Sequence, residues 1–395
     1  MPPHAPLHGV RVIALEQAVA GPLCTRHLVD LGADVVKVER RGGGDFARRY
    51  DTTVNGLSSY FVWLNRGKRS MTLDLKHPAA AEVLGRLVAQ ADVLVQNLGP
   101  GAIDRLGLAP EELRRRHPGL VIASISGYGG TGPYARRKAF DLLLQGETGV
   151  LATTGTPDAP AKVGISVGDI GAGVYGAMGI LAALYERRAA GEGCLVETSL
   201  FDALAEWMGY PALFTMYGGH PPGRTGVRHA TVVPYGVYRC AGGEQVNLAV
   251  QTDGQWTRFC RDVCRRPEWE ADPRYATGED RRHNRDALED AIEEVFATLS
   301  RVELTARLEA ADIPWGDVRS IEAFLHHPQL VARDRWREVA TPHGPIRALV
   351  PPFDLEGLDH RMEPIPDVGE HTDDVLRELG YAQREIDHLR GIGAV

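Results

Sequence analysis

The first 130 residues alternate between two kinds of segment. Five short apolar runs, "RVIALE", "DVVKVE", "MTLDL", "DVLVQN" and "LVIASIS", are separated by stretches of helical length such as "GPLCTRHLVDLGA", "HPAAAEVLGRLVAQA" and "PEELRRRHP". None of the runs alternates strictly between apolar and polar positions, as a strand with one wet face would. Apolar runs spaced by helices predict parallel strands covered on both faces. The expected fold class is α/β, an open parallel Rossmann-like sheet with right-handed crossovers. Ligands of such sheets lie beyond the carboxyl ends of the strands, so the residues that follow each run matter most.

From about residue 135 to 217 the pattern predicts helices rich in small residues. Near 218 it shifts to the Gly/Pro-rich "YGGHPPGRTGVRHATVVPYGVY", after which "VYRC-AGGE-QVNLAV" predicts a hairpin with a glycine turn. Helical periodicity returns in "GQWTRFCRDVC", "NRDALEDAIEEVFATL" and "ELTARLEAA"; Ser300 with Glu303 three positions on is a capping-box start. The expected division is a large domain over 1–220, a small α+β domain over 221–329, and a tail, 330–395, that returns to the large domain.

Composition narrows the function classes. Hydrophobic residues make up 44% of the 395-residue chain and charged residues 24%, the balance of a soluble globular protein. Lysine plus arginine (44) against aspartate plus glutamate (52) gives a net charge of −8, which argues against bulk nucleic-acid or anionic-membrane binding. The five cysteines are scattered and complete no zinc pattern, so reduced thiols, a cytoplasmic location and no metal are expected. "MPPHAPLHGV" shows no signal-peptide pattern. The uncharged stretch from Ile170 to Tyr185 falls short of the roughly 20 residues a membrane span needs, and reads as a buried, closely packed helix.

The strand ends carry "AVAGP", "ERRGGGD" and "NLGPGAIDRLG". No G-x-G-x-x-G follows a strand and opens a helix, which removes the main support for a nicotinamide dehydrogenase. Basic residues recur instead: Arg40, Arg41, Lys68, Arg69, Lys76, Arg105 and Lys138. Such placement favours a phosphorylated ligand. In "KVGISVGDIGAGVYGAMGILAALYERR", Asp169 stands where a glycine-rich helix begins. One reading is structural: an N-cap carboxylate accepts a backbone N–H, worth about 1 kcal/mol. The other is chemical: the helix dipole keeps the carboxylate ionised, and an ionised aspartate in an apolar, glycine-lined site is a nucleophile. Composition does not choose between them.

The stretches "LHGVRVIALEQAVAGPLCTRHLVDLGADVVKVERRGGGD", "NRGKRSMTLDLK", "DVLVQNLGPGAIDRLGL", "SGYGGTGP", "VGDIGAGVYGAMGILAALYERRAAGEG" and "GEHTDDVLRELG" run in order from residue 7 to about 380. Together they resemble the class III CoA-transferase family, the group of the formyl-CoA:oxalate and carnitine CoA-transferases. The resemblance implies that Asp169 is the acyl-carrying nucleophile. It also implies CoA contacts at Ala18, Ala20, Arg40, Leu73, Asn97, Leu98, Arg105 and Lys138, with CoA as substrate rather than tightly bound cofactor. An interlocked homodimer is expected of such a family, with no nucleic-acid or membrane partner.

The related α-methylacyl-CoA racemases place a histidine before an aspartate after the "GYG" loop; here "KAFDLLLQ" has Phe140 at that place, so two-base proton exchange lacks a partner. The formyl-CoA branch carries a longer glycine loop, which "RHATVVPYGVYRC" does not reproduce. That loop resembles transferases using succinyl-CoA with C4 or C5 dicarboxylic acids such as itaconate, mesaconate or citramalate. A second carboxylate needs a cation, and Arg224, Arg228 and His229 are the candidates. Racemisation and non-catalytic CoA binding stay open as alternatives.

Overall fold

A computed structural model describes residues 5–395, which fall into two compact units. The first comprises residues up to Gly149 together with Val163–Gly209 and Leu330–Val395; the second comprises Val150–Lys162 and Tyr210–Gln329. The second unit thus begins earlier than the expected 221 and also takes a short segment from the middle of the large domain.

In the first unit, strands β1 (Arg11–Leu15), β2 (Asp34–Glu39), β3 (Arg69–Thr72), β4 (Val93–Gln96), β5 (Val121–Ser126) and β6 (Leu195–Ser199) form one parallel sheet in the order β3-β2-β1-β4-β5-β6. Its first five strands correspond to the five apolar runs, with β3 starting two residues before "MTLDL". The sixth corrects the expectation of unbroken helix between 135 and 217. "LVETS" is short and half-polar, and only pairing with β5 makes it a strand. The order reverses between β1 and β4, so the loops after these strands flank the crevice where doubly wound sheets bind ligands.

Helices α1 (Ala20–Asp30), α2 (Ala80–Ala89) and α3 (Pro110–Arg116) occupy the predicted crossovers. After β5 come α4 (Asp141–Glu147), the long α5 (Val167–Ala190) and, past β6, α6 (Leu200–Trp207). Alone among the described residues, α5 is long and apolar enough to cross a membrane; half of that apolar stretch is buried within this unit.

The glycines of α5 explain that burial. A methyl group at Gly173 would lie 2.8 Å from the Ala20 carbonyl oxygen of α1, and one at Gly179 would lie 2.5 Å from Val196 Cγ1 of β6. At Gly171 it would meet Trp207 and Ala203 of α6 at 3.1 and 3.2 Å. Small residues therefore let α1, β6 and α6 approach the helix backbone, rather than leaving a groove for a ligand. This is why the most slippery stretch of the chain is also its central packing element.

In the second unit, β7 (Tyr235–Arg239), β8 (Gln245–Ala249) and β9 (Trp315–Asp317) form an antiparallel sheet. It packs with α7 (Arg285–Phe296) and α8 (Arg301–Ala310) around Tyr238, Phe259, Phe296 and Leu304. Ser300 and Glu303 form the capping box the spacing predicts.

After a two-stranded hairpin (β10, Trp336–Val339; β11, Ile346–Leu349), α9 (Thr372–Glu378) and α10 (Gln383–Gly391) place Val375, Leu376, Ile386 and Leu389 in the same core as α2. The tail also covers the edge strand: Thr72 N–H donates to Thr372 Oγ1 (3.0 Å), and His371 N–H donates to Ser70 O (2.9 Å).

Candidate active site

The loop after β1 is built on buried charge. Glu16, Lys37 and Lys68 are essentially inaccessible, with Lys68 Nζ 2.7 Å from Glu16 Oε1 and Lys37 Nζ 2.9 Å from Asp45 Oδ2. Burial pushes the Lys68 ammonium down to about 8, against the pull of Glu16. Asp45 then accepts from Ala18 N–H at 3.1 Å and Ala47 N–H at 2.9 Å. These contacts hold Ala18 at φ +61°, a left-handed conformation that alanine rarely adopts.

Across the switch point, Asn97 completes the clamp. Its Oδ1 accepts from Gln17 N–H and its Nδ2 donates to Gln17 O, both at 2.8 Å. Ala18, Ala20, Asn97 and Leu98 thus gather at the β1/β4 crevice, with the Asn97 side chain spent on shaping the loop. Leu73 differs: its side chain is wholly buried, and its N–H is taken by Glu39 O. A ligand contact through that side chain is therefore not available in this structure.

The basic residues separate into two groups. Arg40 and Arg41 follow β2, Lys76 follows β3, Arg105 follows β4 and Lys138 follows β5; all five are exposed and form no ion pair among the described residues. They form a loose row of cations along the carboxyl edge of the sheet. The other two do not belong to it. Lys68 is consumed by Glu16, and Arg69, at the amino end of β3, is bound by Asp34 (2.8 Å) and Glu378 (2.6 Å).

Asp169 lies in the first turn of α5 but does not cap it. Ser166 is the N-cap, without a side-chain bond, and the carboxylate that meets the free N–H groups belongs to Asp141 at the start of α4. Asp141 Oδ1 accepts from Gly168 N–H at 2.7 Å and Asp169 N–H at 3.3 Å. The half-buried Asp169 carboxylate has no hydrogen-bond donor among the described residues. Burial, followed by the negative charge of Asp141, pushes its carboxyl up from 3.8 to about 7. The expectation of an N-cap carboxylate held ionised by the helix is thereby corrected. Desolvation and a like charge outweigh the helix dipole, because another carboxylate has taken the cap.

Tyr50, on the turn after β2, is electrostatically coupled to Asp169: that charge is one of the influences that raise its phenol, after burial and Asp45. Its ring meets Tyr60 edge-on at 5.3 Å, and Tyr60 in turn meets Trp63 at 6.5 Å. Sequence reasoning singled out neither Tyr50 nor Asp141. The signal for Asp141 was present, an acid opening a helix with glutamine four residues on, but its partner lies 27 positions away.

In the second unit, Arg228 Nη2 pairs with Glu293 at 2.6 Å and its guanidinium lies over the Tyr238 ring. Arg224 donates Nε and Nη2 to the carbonyls of Thr156 and Pro157, and His229 stacks on Tyr235 at 4.9 Å. Among the described residues no cluster of three or more His, Cys, Asp or Glu side chains is arranged to hold a metal.

Comparison with known proteins supplies the class. Residues 7–372 match the CoA-transferase family III. The chain is 35% identical over 389 residues to a succinate–glutarate CoA-transferase of Agrobacterium fabrum, covering 96% of this chain and 97% of that one. It is 33% identical over 414 residues to a formyl-CoA:oxalate CoA-transferase of Rhodopseudomonas palustris, covering 98% and 97%. A crystal structure of a CaiB/BaiF family protein from Brucella suis superposes with a TM-score of 0.82 at 33% identity, covering 95% of this chain and 99% of that one. The parallel sheet, its cationic carboxyl edge and the match across almost the whole chain agree: this protein belongs to the CoA-transferase family III and is an enzyme of that class, which uses CoA thioesters as substrates.

Proposed function

We propose that the chain moves CoA from succinyl-CoA to a four- or five-carbon dicarboxylic acid, with Asp169 as the covalent carrier. The observation that carries this reading is the state of Asp169: a half-buried carboxylate without a hydrogen-bond donor among the described residues, raised to about 7, at the mouth of a glycine-rich helix that α1, β6 and α6 approach closely.

In the first step an Asp169 oxygen attacks the thioester carbonyl, the C–S bond breaks, and a mixed anhydride and CoA thiolate form. The thiolate then attacks the aspartyl carbonyl, releasing the donor acid and leaving an aspartyl-CoA thioester. The acceptor carboxylate attacks that carbonyl, expelling thiolate, which finally attacks the acceptor's acyl carbon and frees Asp169. Anhydride formation is uphill because a thiol near 8.5 is a poorer leaving group than a carboxylate. The gap is about 4–5 pH units for an ordinary aspartate and about 1–2 for one at about 7. A more basic Asp169 is thus a better nucleophile with less tendency to revert, and binding of the distant nucleotide supplies the rest.

Arg40, Arg105 and Lys138 are proposed as phosphate contacts, and the β1/β4 crevice as the thioester end of the site. The succinate–glutarate relative supports glutarate as the first acceptor to try, ahead of itaconate, mesaconate and citramalate. Arg224 and His229 stay candidates for the second carboxylate, whereas at Arg228 a substrate has to displace Glu293. The expected homodimer is part of the proposal, supported by Val174, Met178 and Tyr185, which are 44%, 58% and 79% exposed along α5. Light scattering after gel filtration measures it.

The test of function is succinyl-CoA with this panel of acids, followed by hydroxylamine trapping and peptide mapping. CoA exchange with a hydroxamate on Asp169, both lost in Asp169→Asn, is expected. Normal exchange by Asp169→Asn would refute the mechanism.

A further inference from the structure

We propose that Asp141 is a positioning residue for the nucleophile, fixing the first turn of α5 and presenting a negative charge to Asp169. The inference rests on the reading of Asp169 as carrier and goes beyond it by assigning how that side chain is aimed.

Asp141 ties α4 to the opening of α5. Its Oδ1 accepts from the N–H groups of Gly168 (2.7 Å) and Asp169 (3.3 Å), at the opening of α5. Its Oδ2 accepts from Gln145 Nε2 at 2.6 Å, one turn further along α4. Gln145 is completely buried, and its Oε1 accepts from Val163 N–H at 2.9 Å, in the segment leading into α5. Asp141 and Gln145 therefore hold both the approach to the helix and its first turn.

The seat is tight. A methyl group on Gly168 would lie 3.2 Å from Asp141 Oδ1 and 3.0 Å from Leu204 Cδ1 of α6, so the turn has no room to slide. The Asp141 carboxylate takes N–H groups of the first turn that have no partner within the helix. The residue that aims Asp169 thus also sets a like charge beside it. Burial and Asp141 are the two influences that raise the Asp169 carboxyl. Tyr50, from the turn after β2, is the other titratable group coupled to it, and it is neutral near pH 7. The packing contacts of α1, β6 and α6 on the α5 glycines are the Ala20 carbonyl and apolar side chains. One residue, in this view, both places the nucleophile and delays its ionisation.

The test compares Asp141→Asn, which keeps an acceptor but no charge, with Asp141→Glu, which keeps the charge on a longer arm. Two readouts are taken: the pH dependence of hydroxylamine trapping from succinyl-CoA, and titration of the Asp169 carboxyl carbon by 13C NMR without substrate, assigned with Asp169→Asn. In Asp141→Asn both midpoints should move about one pH unit toward acid. In Asp141→Glu the midpoint should stay while the trapping rate falls several-fold with the KM for succinyl-CoA unchanged. An unmoved NMR midpoint in folded Asp141→Asn, or a wild-type trapping rate in Asp141→Glu, overturns the proposal. Should Asp141→Asn fail to fold, the Asp141→Glu rate decides. The NMR titration needs no turnover, so it separates failure of this inference from failure of Asp169 as carrier: a shifted NMR midpoint with no adduct on wild-type Asp169 would refute only the latter.

Discussion

Replacing Asp169 by asparagine should stabilise the protein, and more so as the pH rises. In the fold its carboxyl is raised to about 7 by burial and by Asp141, whereas in the unfolded chain it returns to about 3.8. Between these values the folded state binds a proton that the unfolded state has lost. Stability conferred by the neutral carboxyl is therefore present below pH 4 and disappears as the pH climbs through 7. The rise from 3.8 to about 7, at about 1.4 kcal/mol per pH unit, bounds the cost at about 4 kcal/mol. Solvent reaching a half-buried group lowers the expectation to about 1–2 kcal/mol. Asparagine has the same shape and no charge, so the variant escapes that cost. The assay is urea unfolding of both proteins from pH 4.5 to 8, followed by tryptophan fluorescence, using the transition that contains α5. Taking the difference between variant and wild type cancels the other titrating groups. It should grow by about 1–2 kcal/mol, mostly between pH 5 and 7. A difference that is flat, or that shrinks with rising pH, would show that Asp169 ionises as an ordinary surface aspartate.

Three further outcomes follow from the same geometry. The rate of aspartyl trapping from succinyl-CoA should rise with pH through about 7, because only the ionised carboxylate attacks; a rate already saturated at pH 5.5 contradicts this. Gly179→Ala should lower the urea midpoint by the equivalent of about 1–3 kcal/mol, since its methyl group meets Val196 Cγ1 at 2.5 Å and overpacking outweighs the helix-propensity gain of about 1 kcal/mol. Asn97→Ala removes both bonds to the Gln17 backbone. It should raise the KM for the CoA thioester several-fold with little change in fold, measured by initial rates beside far-ultraviolet circular dichroism.

Much of the site was legible because it sits at strand ends, and strand ends are local. The apolar runs located β1 to β5; Ala18, Asn97 and Arg40 follow them closely, and Arg105 and Lys138 lie further along the same connections. β6 was not legible, because "LVETS" owes its conformation to β5 rather than to its own pattern. Lys68 and Arg69 read as part of the strand-end row of cations. Only folding brought Glu16 against Lys68, 52 positions away, and Glu378 against Arg69, 309 positions away.

The sequence by itself determined the alternation of strand and helix, hence the parallel sheet and the edge at which ligands bind. It also determined where a carboxylate meets a glycine-rich helix. Periodicity and steric size are properties of neighbouring residues, and neighbours are all that a sequence displays. The ionisation of Asp169 was decided by the tertiary structure alone. That depends on which groups fill the space around one side chain, and Asp141, the residue that took the cap and raised the Asp169 carboxyl, reaches it only through the fold.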